Sequence, residues 1–230
     1  MNKPLVDLRV RHERIPAQSK LETYYKRSLI AASLRLDVTK AGDKISAEGF
    51  VDAKIPFKRA WRFEGSAIWS PSNQTAPVDF EVSTEREAGS NRIREWRKEG
   101  NELKFREFEN GQIRREASYA LQEDLMPISS PLLLLSALQS SVSQDNESFG
   151  SLLVIGSKFA ALRLDPTPPS ATRNFRGAIM TVRTPLRRSD WLALPWHQAK
   201  PFDLDMSQSG DALVRIAADV PVLGSVSLTF

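Results

Sequence analysis

The chain has no cysteine and only two histidines among its 230 residues. The first absence removes disulfide scaffolds, thiolate zinc sites, iron–sulfur clusters and cysteine nucleophiles together. The second leaves no His-rich metal cage, and nothing in the sequence asks for a metal or other cofactor. Long hydrophobic runs are also missing. Even Leu132–Leu135 is broken at Ser136, far short of the ~18–20 apolar residues that span a bilayer. Met1 to Asp7 lacks the apolar core of a secretory signal, so the chain reads as cytoplasmic unless a signal has been removed. No excess of one charge is found either. The formal net charge is +4, and from Glu85 to Glu116 both signs interleave, as in Arg92, Arg94, Glu95, Arg97, Lys98 and Glu99. That pattern reads as a solvated sheet surface; a nucleic-acid partner would need Lys and Arg clustered on one face.

Catalytic patterns fail in turn. His12 sits among Arg11, Glu13 and Arg14, as an exposed strand residue would, and His197 stands beside Trp196 at a break. Serine follows glycine at Ser66, Ser90, Ser157 and Ser225, but none completes the G-x-S-x-G elbow of a nucleophile. The eleven glycines are scattered and build no phosphate cradle. Glu107/Glu109 and Asp203/Asp205 are spaced to share one strand face, where two carboxylates could share a proton or hold a hard cation. Neither pair has a glycine-containing calcium loop, so they read as charged outer faces. The expectation is a protein that is not an enzyme, with no catalytic and no metal-binding residues. An enzyme of envelope polymers using Asp203 and Asp205 is the one catalytic rival.

What the chain does have is alternation of period two. Hydrophobic residues at 41% and charged residues at 26% suit an ordinary globular fold. Leu34, Leu36 and Val38 alternate with polar neighbours, and the turn Lys40–Asp43 leads into a partner strand from Ile45 to Ala53. Lys58–Trp69 is a further strand with Trp61 and Phe63 on one face. Val78, Phe80 and Val82 then alternate with Asp79 and Glu81, which are expected to face outward. Turns at Glu99–Glu102 and Asn110–Gly111 make the stretch from Val78 to Leu121 a meander. Ser130 and Pro131 open one helix, expected over about 130–143, since a serine caps the first amides and proline needs no donor there. Strands resume at Ser151–Ile155, Phe159–Leu164, Phe175–Val182, Phe202–Met206, Ala212–Ala218 and Val222–Phe230. The fold class expected is mainly β, as one domain over residues 1–230: a single curved antiparallel sheet or an open β-barrel with one central α-helix.

Aromatic residues fall on successive strands and either fill a core or line an apolar cleft. One short helix offers little surface to cover so long a meander. The site expected is therefore a groove for a hydrophobic small molecule or lipid, formed by Trp61, Phe63, Trp69 and Phe80 with Leu133 and Leu134 as its helical wall. Arg92, Arg94, Trp96 and Arg97 are residue types enriched in interface anchors and form a candidate surface for another protein.

The segments Ala32–Val38, Ile45–Val51 and Arg62–Gly65, together with Ala212–Ile216 and Val222–Phe230 at the other end, resemble the bacterial envelope family of domain of unknown function 3108. The helix at Pro131–Gln139 falls where that family has its central helix. The resemblance implies an exported, periplasmic, mostly antiparallel β protein similar in shape to the half-barrels of periplasmic lipoprotein carriers, with no catalytic residues to carry over. It does not extend to the mixed-charge region from Glu85 to Glu116. The function expected from these readings is a noncatalytic envelope protein that binds an acyl chain or lipid group. The rival is an envelope assembly module that pairs through a sheet edge and charged hairpins.

Overall fold

The computed structural model describes residues 6–7, 18–27, 30–54, 61–70, 79–87, 89–120, 134, 148–155, 158–167, 173–181, 201–207, 213–220 and 224–229. Within them the chain forms β1 (Val6–Asp7), β2 (Gln18–Arg27), β3 (Ile30–Ala41), β4 (Lys44–Lys54), β5 (Trp61–Trp69), β6 (Phe80–Glu87), β7 (Ser90–Glu99), β8 (Glu102–Glu109) and β9 (Gln112–Ala120). It continues with β10 (Phe149–Ile155), β11 (Lys158–Pro166), β12 (Arg173–Thr181), β13 (Phe202–Met206), β14 (Leu213–Val220) and β15 (Gly224–Thr229).

The strands divide between two hydrogen-bonded sheets, so of the two expected forms, a single curved sheet or an open β-barrel, the first is corrected. One has eight strands in chain order from β2 to β9; the other has seven, in the order β1 and then β10 to β15. Pairing is antiparallel except between β1 and β10, where Val6 meets Phe149 in parallel register. β15 lies alongside β2. Among the described residues no pairing joins β9 to β1 or β10. The helix expected over about 130–143 lies outside the described residues except at Leu134. That residue is helical and buried within the core.

The eight-stranded sheet forms because its turns are short and correctly placed. Gly42, Gly100 and the pair Asn110–Gly111 have φ of +61°, +60°, +51° and +82°, the left-handed backbone that two-residue hairpin turns require. Ala41 closes on Lys44, Glu99 on Glu102 and Glu109 on Gln112. These turns set the register, and the register decides which alternate residues face inward.

Both sheets contribute to one hydrophobic cluster. Leu36, Ile45, Trp96, Leu103 and Phe105 from the first meet Phe149, Leu153, Leu164, Leu204 and Met206 from the second, and Leu134 joins them. β2 has no counterpart in the sequence reading. Its Leu21 and Thr23 are buried opposite Leu36 and Leu34, and a leucine followed by a threonine is too faint a hydrophobic alternation to mark a strand.

Candidate functional site

The inner face of the eight-stranded sheet can be followed as cross-strand rows. Nearest the Gly42 and Gly100 turns, Ile45 stands opposite Trp69 and Leu103 opposite Tyr119. The next row runs Val38, Ala47, Ala67, Glu81, Trp96, Phe105, Ala117. A third runs Leu36, Gly49, Gly65, Ser83, Arg94, Glu107, Arg115. The fourth holds Leu34, Val51, Phe63, Glu85, Arg92 and Glu109. Across β3 to β5 these positions are apolar or glycine. On β6 they are Glu81, Ser83 and Glu85, and across β7 to β9 they pass from largely apolar and aromatic to charged.

The aromatic part packs closely. Trp96 lies 4.6 Å from Phe105 and 6.2 Å from Tyr119, ring centre to ring centre, within the range of favourable aromatic pairs. Burial pushes the Tyr119 phenol up to about 12. Unfolded tyrosine ionises near 10, so between about pH 10 and 12 the folded chain holds a proton that the unfolded chain has lost. The stability this contributes is whole below about pH 10 and declines as the pH rises toward 12. Spectrophotometric titration should show one of the three tyrosines ionising about two units late, and Tyr119→Phe should remove that late step.

The charged part is a network inside the fold. Arg94 donates from Nε to Glu107 at 2.9 Å and from a terminal nitrogen to Glu85, also at 2.9 Å. Arg115 approaches the other oxygen of Glu107 at 3.6 Å. Arg92 pairs with Glu109 at 3.2 Å and comes within 3.8 Å of Glu85. The side chains of Arg94 and Glu107 are 4% and 3% exposed, too dry for an unpaired charge. At the outer end, Ser90 donates to Glu109 at 3.0 Å. That hydroxyl first, then Arg92 and Arg114, hold the Glu109 carboxyl below its ordinary value against the opposing effect of burial.

Several sequence expectations change here. The interleaved charges of Glu85–Glu116 are only half a solvated surface, because period two sends alternate ones inward, where opposite signs pair. Glu81 faces inward and is 1% exposed, and Phe80 faces the other way. The pairing of Ala67 with Glu81 and of Ile68 with Phe80 fixes this phase. Phe80 therefore leaves the expected ligand set: it lies on the outer face under the Arg97 guanidinium, 5.3 Å from the ring centre. Phe63, Trp69 and Leu134 do share the interior and are buried. Trp61 opens β5 opposite Ala53 and Glu87 in the register, and Leu133 lies outside the described residues. The four expected partner residues also split. Arg92, Arg94 and Trp96 point inward, Arg94 and Trp96 being buried, and Arg97 alone is exposed outside. Of the acidic pairs, Glu107 and Glu109 are engaged by arginines, and Asp205 pairs with Arg215. His12 and His197 lie outside the described residues.

The arrangement is barrel-like with an amphipathic interior, and a solved structure is similar to it. A crystal structure of a beta-barrel-like protein of domain of unknown function DUF1849 from Brucella abortus aligns over 92% of this chain and 94% of its own, with a TM-score of 0.56 and 6% identity. The likeness is one of fold. A family model matching the chain was not found, nor was a matching curated protein. The chain is thus mainly β, with antiparallel sheets, and barrel-like.

Proposed function

We propose that the protein is a noncatalytic binding protein of the cell envelope, taking an acyl chain or lipid group between its two sheets. The observation that carries this reading is the apolar half of the interior. Leu34, Leu36, Ile45, Phe63 and Trp69 wall it, and Gly49 and Gly65, opposite each other in the register, leave the wall low at its centre. Each buried methylene gains about 0.8 kcal/mol, so a short stretch of chain suffices for binding. The envelope location comes from the segments that resemble domain of unknown function 3108, and it implies the periplasm. Native mass spectrometry of protein purified without detergent should show co-purified mass that organic extraction removes and an added fatty acyl probe restores. Protein that carries nothing and takes up no probe contradicts the reading.

The docking alternative has its own support in β9. This nine-residue strand pairs with β8 alone among the described strands, and Ile113 on it is 57% exposed. Unpaired strand edges are templates for an added strand. Ile113→Lys should leave acyl binding intact and abolish capture of an envelope partner if the edge serves that purpose.

A further inference from the structure

We propose that the indole N–H of Trp69 is the polar anchor of this interior site, and that the ligand is an acyl ester received through its carbonyl oxygen. The inference rests on the apolar-ligand reading above and names the ligand's head. Trp69 is 3% exposed, and among the described residues its Nε1 donates to no acceptor. Buried tryptophan N–H groups nearly always find a partner, because leaving a donor dry and unbonded is costly. A ligand oxygen is such a partner. The position suits a head group: Trp69 ends β5, in the row beside the Gly42 and Gly100 turns, so a chain anchored there runs inward past Ala67 and Gly65 toward Phe63.

The neighbours select a neutral acceptor. Glu81, 1% exposed, stands opposite Ala67 one position along the same face, so a ligand carboxylate held at the indole would crowd a second carboxyl group into a dry setting, at a greater cost than a neutral head. Arg94, one row further in, is bonded to Glu85 and Glu107. An ester carbonyl accepts the N–H hydrogen bond and brings no charge into this setting.

The test compares undecane, methyl decanoate and decanoate by displacement of a fluorescent acyl probe, on the whole chain and on Trp69→Phe. Methyl decanoate should bind about tenfold more tightly than undecane, the worth of one well-formed hydrogen bond. In Trp69→Phe the ester should lose this advantage and bind no more tightly than undecane, because its carbonyl is then buried without a donor. Benzothienylalanine at position 69 replaces the N–H by sulfur and keeps the bicyclic shape. It should reproduce the loss without lowering the urea midpoint of the ligand-free protein, because the donor it removes bonds to nothing there. Ester binding unchanged by either substitution overturns the anchor, as does a lowered midpoint with benzothienylalanine. Decanoate binding more tightly than the ester overturns the choice of a neutral head. If undecane itself fails to bind, the apolar-ligand reading falls first, which separates the two failures.

Discussion

Arg94→Met should destabilise the protein by about 3–5 kcal/mol, the range for removing one partner from a buried ion pair. Glu85 and Glu107 would each lose a hydrogen bond of 2.9 Å, and Glu107, 3% exposed at its side chain, has little water to turn to. Methionine is close in volume to the stem of arginine, so the loss would be electrostatic and not a packing defect. The control is to remove the charges together. Arg94→Met with Glu85→Leu and Glu107→Leu should recover most of the stability, since well-packed apolar groups replace buried pairs at little cost. Arg92 and Arg115 can turn to solvent in that variant, their side chains being 21% and 27% exposed. Urea midpoints with unchanged slopes are the measurement. If Arg94→Met alone is neutral, the network is not the dry, mutually dependent cluster described here.

The second large effect belongs to the other sheet. Gly177 faces Phe202 in the register of β12 and β13, and the phenyl ring lies flat across the glycine: a Cβ at 177 would sit 2.2 Å from its Cζ and 2.5 Å from its Cε2. No rotamer adjustment of a few tenths of an ångström relieves such an overlap, and Phe202 is itself 3% exposed. Gly177→Ala should therefore cost about 3 kcal/mol, at the upper end for overpacking a core. Phe202→Ala should cost about 3–5 kcal/mol by leaving a cavity. The pair is strongly coupled: in the Phe202→Ala background, Gly177→Ala should be neutral or stabilising, because alanine in an unhindered strand loses less chain entropy than glycine. Additive losses would mean that the ring does not rest on Gly177.

How far the sequence reveals the site depends on where its turns lie. Counting back from the two-residue turn at Gly100–Asn101 places Trp96 opposite Phe105 and Arg94 opposite Glu107, as the structure has them. The aromatic pair and the buried ion pair are thus written in the spacing. The inward phase of β6 is not. Apolar Phe80 and Val82 outbid Glu81 by hydropathy, but a glutamate can be buried where the fold supplies suitable surroundings, and only the pairing of β5 with β6 reveals that it is. On β9 the count fails for another reason. A bulge at Glu107–Phe108 shifts the register, so that Glu107 meets Arg115, and no turn residue announces it. The division of the strands between two sheets also escapes local pattern, because alternation specifies a strand's faces and not its neighbours.

The most direct test of a ligand-holding interior uses tryptophans already inside it. Trp69 and Trp96 are 3% and 1% exposed, beyond reach of a quencher that stays in water. In a variant whose other tryptophans are replaced by phenylalanine, leaving Trp69 and Trp96, titration with an acyl chain brominated near its middle should quench fluorescence saturably. Free bromide should not. Fluorescence that the brominated chain leaves unchanged, at concentrations where it forms no micelles, would mean that the two sheets close on their own side chains and hold nothing else.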